Sequence, residues 1–154
     1  MKKILRVTGI GLLLVLGALQ FYRSPRNLGA TEGPESIVAR EQVPANVRQI
    51  LARACYDCHS DNTRYPWYAA VQPVAWWLND HVTEGKSELN FSAFAAYDAK
   101  RAVRKLQEVS DEVRERNMPL KSYLLAHPEA KLTDADVAVL TTWAEDLADE
   151  IGSR

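Results

Sequence analysis

The sequence predicts an all-α fold, a small helical domain with long loops behind an N-terminal apolar helix, and three observations carry that prediction. Apolar residues recur at one-face helical spacing in four separate stretches. No stretch alternates as a strand would. The segments between the helical stretches, residues 60–72, 86–97 and 117–132, are long for a domain within a chain of 154 residues, and long ordered loops in a small domain usually mean that a bound group organises them. The composition, 47% hydrophobic and 25% charged, is that of one globular domain with extensions. It contains neither internal repeats nor low-complexity tracts.

The first element is the apolar helix. After "MKKILR" comes the run Val7 to Leu19, extended by Phe21 and Tyr22, with the basic flank and apolar centre of an export signal. The stretch "LGALQFYRS" offers a poor small-x-small cleavage site, and no cysteine follows that would accept a lipid. The run is shorter than the roughly 20 residues that span a bilayer, though Ile4 and Tyr22 extend it. Residues 1–22 are therefore expected to be a signal sequence or uncleaved inner-membrane anchor, with the domain on the periplasmic side of a bacterial membrane, or free in the periplasm after cleavage. Residues 23–42, with Pro25, Gly29, Gly33 and Pro34 among polar residues, read as a flexible linker, which leaves residues 43–154 as the domain.

Charge follows the same division. Lys2, Lys3, Arg6, Arg23 and Arg26 precede residue 27 and no acidic residue does, which leaves 14 basic against 20 acidic groups beyond it, a net of −6. Such a domain is unsuited to nucleic acid phosphates and better suited to a basic protein partner.

The helices of the domain follow in order. Val47, Ile50, Leu51 and Ala54 share a face after Pro44, and this helix is expected to run through Cys55 to residue 59. A second begins at Pro73, carries Val74, Trp77, Leu78, His81 and Val82 on one face, and stops at Gly85. A third uses Ala99, Ala102, Leu106, Val109 and Val113. The last starts at Thr133 as a cap, with Asp136 three residues on, and repeats Val137, Leu140, Ala144, Leu147 and Ile151.

The only two cysteines lie at the end of the first of these helices, in "ACYDCHSDNTRYPWY". On a helix, Cys55, Cys58 and His59 stand at i, i+3 and i+4 and project from one face. Cys-x-x-Cys-His at this spacing is the pattern for covalent haem attachment: two thiols join the vinyl groups on one porphyrin edge and the adjacent imidazole reaches the iron. Other readings fit less well. Zinc takes four ligands, and 22 and 68 residues separate Cys58 from His81 and His127. Thiol–disulfide exchange belongs beside a βαβ pattern, which is missing. A plain disulfide leaves His59 without a role. Tyr65, Trp67, Tyr68, Trp76 and Trp77 are candidates to cover the porphyrin plate or to serve as ordinary core. A backbone carbonyl near Pro66 or Pro73 is the expected acceptor for the outer nitrogen of His59.

The second axial position decides the function. Met118, in "RERNMPLKSY", precedes Pro119 on a stiffened loop, an odd place for core filler. His81 competes from the Trp77 helix, as a ligand, a core histidine or a partner of a haem propionate, and His127 is a weaker rival. Arg64, Lys121 and Tyr123 are further candidates for the propionates.

Residues 43 to 151 also resemble the haem-binding domain family of small bacterial cytochrome c-like proteins. The stretches that carry the resemblance are "CYDCHSDNTRYPWY", "HVTEGKSELNFSAF", "NMPLKSYLLAHPEAKLT" and the final "WA" at Trp143 and Ala144. The resemblance implies a cytochrome c-like helical fold around one covalent haem c, with Met118 as distal ligand; Asn117 and Leu120 depart from the family's pattern around that methionine.

Two functions follow as expectations. With Cys55 and Cys58 attached and His59 and Met118 on the iron, the domain carries single electrons to a redox protein partner, and it depends on c-type cytochrome maturation machinery. With an open or labile distal site it is a gas or redox sensor, or peroxidase-like. No paired carboxylates beside a histidine and no nucleophile with a base mark it as an enzyme.

Overall fold

The computed structural model describes residues Met1–Arg154 and contains eight α-helices, three short 3-10 turns and no strand. The chain is all-helical, as its periodicity predicts. One isolated bridge pairs Leu28 with Asn62.

Helix α1, Lys2–Leu19, buries none of its residues. No helix is long and apolar enough to cross a membrane. Lys2, Lys3 and Arg6 take up the first turns, and the apolar run from Val7 to Leu19 reaches only about 20 Å against a hydrocarbon core of about 30 Å.

Residues 23–42 are not a free linker either. Asn27 donates from Nδ2 to the Ser60 carbonyl (2.8 Å) and to Thr63 Oγ1 (3.0 Å), and its Oδ1 accepts from Lys86 Nζ (2.8 Å). The Gly29 amide donates to the Asp61 carbonyl, and a side chain at Gly29 would bring its Cβ to 2.9 Å from that oxygen. Ser36 caps the short helix α2, Ile37–Arg40, and Ile37 is fully buried. Upstream, Gln20 and Gln72 exchange hydrogen bonds, and Gln72 Nε2 donates to the Tyr22 carbonyl. The segment from Gln20 to Thr31 is thus a strap across the domain. Gly29 serves close backbone approach to Asp61.

A single cluster of buried apolar residues runs from Ile37 to Ile151. It contains Val47, Ile50, Leu51 and Ala54 of α3 (Ala45–Ala54), Ala102, Leu106 and Val113 of α6 (Ala99–Arg114), and Leu140, Ala144, Leu147 and Ile151 of α8 (Asp134–Ser153). Contact between α6 and α8 is the most extensive of any helix pair. Thr133 and Asp136 form the expected capping box of α8.

Two expected boundaries move. The first helix does not pass unbroken through Cys55, whose φ of −125° and ψ of −42° separate α3 from α4, Tyr56–His59. The break re-aims the turn, so that Tyr56 packs on Phe91 and Asp57 is buried. The second helix, α5 (Val74–Glu88), continues through Gly85. Gly85 is there for proximity: a Cβ on it would lie 2.8 Å from the Cys58 carbonyl oxygen. Its missing side chain lets α5 lie directly against the cysteine turn.

Candidate functional site

Cys55 at the break and Cys58 and His59 of α4 face one cavity of about 320 Å³, and Met118 and His81 stand in its walls. A neighbouring cavity of about 370 Å³ shares Cys55, His59, Met118 and Pro119 and adds Leu89, Phe91, Val109 and Val113. The chain therefore gathers every residue assigned to the site from sequence around one cleft. His81 comes with them, although its Nδ1 lies 2.9 Å from the Trp77 carbonyl of its own helix and its ring packs on Trp77. His127 stays outside both cavities.

The turn is fixed by its own backbone: the amides of Cys58 and His59 donate to the Cys55 carbonyl. His59 Nδ1 lies 3.0 Å from the carbonyl oxygen of Leu89 at the end of α5. The acceptor is thus Leu89 and not a residue near Pro66 or Pro73, because α5 runs back over the cysteine turn. A proton on Nδ1 leaves Nε2 as the ring's lone-pair donor. Burial lowers the pKa of His59 and outweighs the raising effect of the Leu89 and Gly85 carbonyls, which favours the neutral, metal-binding imidazole.

Cys55 and Cys58 form no disulfide and are partly accessible along the cleft. Burial, with the neighbouring Cys58 sulfur, pushes the Cys55 thiol up to about 12, and burial with the Asp57 carboxylate pushes Cys58 up to about 11. Both are protonated near neutrality. They are poor thiolates for metal binding or exchange chemistry.

Asp57, between the cysteines, organises the opposite side of the turn. Its Oδ1 accepts from the Arg64 amide (3.1 Å) and Nε (3.0 Å), and its Oδ2 from Arg64 Nη2 (3.1 Å) and the Tyr123 hydroxyl (2.7 Å). Burial acts to raise this carboxyl, but the hydrogen bonds of Arg64 and Tyr123 hold it below its ordinary range. Arg64 and Tyr123, two of the three candidates for the propionates, are therefore already engaged with Asp57, while Lys121 is exposed.

The aromatic run has a different use from the one expected. The Tyr65 hydroxyl accepts from the Asn27 amide, and Trp76 Nε1 donates to the Tyr22 carbonyl; both rings hold the strap. Trp67 is 82% exposed. Tyr68 and Trp77 line a smaller cavity of about 100 Å³ beside Cys58. The apolar walls nearest His59 come instead from Leu89 and Phe91, in a stretch without helical periodicity, and from Val109 and Val113 of α6.

The donor set fits a haem. It supplies two thiols and an imidazole with an engaged Nδ1, together with a thioether, in a cleft with aliphatic and aromatic walls. It does not fit zinc, since no three His, Cys, Asp or Glu side chains come together as a metal site.

Comparison with known proteins agrees. The model of a family described as "Haem-binding domain" matches residues 14–146, and so takes in the strap as well as the cleft. Neither the curated proteins nor the solved structures give a match.

Proposed function

The chain belongs to the haem-binding domain family, and from that premise we propose that it is a c-type cytochrome-like electron carrier with one covalent haem c. In this reading Cys55 and Cys58 would hold the haem through thioether bonds, and His59 and Met118 would be the residues that ligate its iron. The observation that carries it is the meeting of both thiols, the imidazole and the thioether in a single cavity. Bound there, the haem would supply a one-electron Fe(III)/Fe(II) couple.

The chain's own groups would do the rest. Leu89 keeps the His59 proton on Nδ1, which fixes the ring and raises its basicity as a ligand. Leu89, Phe91, Val109 and Val113 give the His59 side of the cleft apolar surface, beside Glu88, Lys105, Glu108 and Glu112, and apolar surroundings with a thioether ligand would raise the potential of the couple. Met118 is preferred over His81 as distal ligand because Met118 lines both cavities that His59 lines, whereas His81 lines only one of them. The apolar run of α1 behind its basic residues supports export to the periplasmic side. There the net negative domain would meet a basic redox partner.

The test is a haem stain on denatured protein made in a strain that matures c-type cytochromes, run beside Cys55→Ala, with spectra of wild type and Met118→Ala. Stain retained in wild type and lost in Cys55→Ala, with a sulfur-to-iron band lost in Met118→Ala, is the expected result. Wild-type protein without stain refutes covalent attachment. A stained, high-spin protein that takes carbon monoxide readily points instead to a sensor or peroxidase-like site.

A further inference from the structure

We propose that Asp57, Arg64 and Tyr123 form a latch that holds the Met118 loop closed over the cleft, with Tyr123 as a positioning residue for the distal ligand; the proposal rests on the reading of Met118 as that ligand. The loop around Met118 is secured unequally at its two ends. On the α6 side, the amides of Asn117 and Met118 both donate to the Glu112 carbonyl at 3.0 and 3.2 Å. Arg116, with a φ of 61°, ends that helix and donates from Nη1 to the Leu132 carbonyl. This end is tied by main chain to the α6–α8 body.

The other end has a side-chain tie. After Pro119 and Leu120 the chain enters the one-turn helix α7, Lys121–Leu124, which buries no residue. A helix that short has little stability of its own. What joins α7 to the cysteine turn is the Tyr123 hydroxyl, which donates to Asp57 Oδ2 at 2.7 Å across 66 positions of sequence. Arg64 braces that carboxylate with three further donors. His127 stacks on the Tyr123 ring at 4.3 Å and 16°, and its Nε2 lies 2.9 Å from the Tyr68 hydroxyl. The ring of Tyr123 is therefore clamped while its hydroxyl reaches the residue between the two cysteines. The attachment turn and the distal loop are linked through one carboxylate. Hydrogen bonds to a buried, charged acceptor are the strong ones.

Tyr123→Phe keeps the ring and its stacking and removes only the tie. A six-coordinate ferrous haem must release its distal ligand before carbon monoxide binds, so the binding rate reads how often the loop opens. Carbon monoxide binding to the reduced protein is expected to be about tenfold faster in Tyr123→Phe, the effect of losing one charge-assisted hydrogen bond. Backbone amides of residues 120–124 are expected to exchange faster while those of α6 and α8 stay unchanged. Arg64→Gln gives a smaller change in the same direction and serves where Tyr123→Phe does not fold. A slow-binding wild type with equally slow Tyr123→Phe and Arg64→Gln variants overturns the latch and leaves the ligand assignment intact. A wild type that binds carbon monoxide at once overturns both.

Discussion

Gly85→Ala should destabilise this protein, although the same change inside most helices stabilises. Gly85 lies within α5, Val74–Glu88, with φ on the ordinary negative side. Alanine there gains about 1 kcal/mol in helix propensity. Against that, the new Cβ would stand 2.8 Å from the Cys58 carbonyl oxygen and 3.1 Å from Cys58 Cβ, and contacts begin to be ordinary at 3.4 Å. The helix must retreat by about 0.6 Å from a backbone atom, which cannot rotate aside, and overpacking of this kind costs about 1–3 kcal/mol. The retreat also moves Leu89, one turn on, away from His59 Nδ1. We expect a net loss of up to about 2 kcal/mol, seen as a Tm lower by up to about 8 °C in calorimetry, and a smaller yield of haem-stained protein. Gly152→Ala in α8 is the control. Its Cβ would meet Val103 Cγ2 at a comfortable 3.7 Å, so it should be neutral or stabilising. A Gly85→Ala protein as stable as Gly152→Ala would refute the claim that this glycine sets the distance between α5 and the cysteine turn.

Two further outcomes follow from the same contacts. Removing residues 1–19 should change Tm by less than about 2 °C, because α1 buries none of its residues. Removing residues 1–31 should lower it by about 10 °C or more, because it takes away the three Asn27 side-chain hydrogen bonds and the Gly29 pairing, each worth about 1 kcal/mol; equal melting of the two truncations would show that the strap is dispensable. The Asp57 carboxyl sits below its ordinary range, so its contribution to stability is full above about pH 4 and fades as the pH falls through its lowered native value. Urea unfolding at pH 7 and pH 3 should accordingly show a gap between wild type and Asp57→Asn that narrows in acid, and a gap that is constant would mean that the carboxylate is not what Arg64 and Tyr123 stabilise.

The parts legible in the sequence were those with a local physical signature. Helices α3, α5, α6 and α8 each declare an apolar face, and Thr133 with Asp136 declares a start. The Cys55, Cys58 and His59 spacing is local as well, since one helical turn suffices to place all three on a common wall. Partners set by tertiary approach left no such trace. Nothing in "SELNF" marks the Leu89 carbonyl as the acceptor for His59, because a carbonyl is common to every residue and only the path of α5 brings this one near. Polar composition around Gly29 and Pro34 looks the same in a loose tether and in a strap whose amides pair with a neighbouring loop.

The misread residues share one cause, and it bears on how the domain is built. Gly29 and Gly85 have the local signatures of a tether residue and a helix stop, and Asp57 has none, yet each belongs to a contact with residues 55–64. Gly29 lies against Asp61, Gly85 against Cys58, and Asp57 ties Arg64 to Tyr123. The strap, α5 and α7 thus converge on the same short segment from different parts of the chain. Haem attachment requires two thiols and an imidazole to keep a fixed relation, and α4, one turn long, cannot hold it alone. Rigidity at the cysteine turn is supplied from outside it, by neighbours that press close where glycine allows and by a buried carboxylate that gathers donors from both sides.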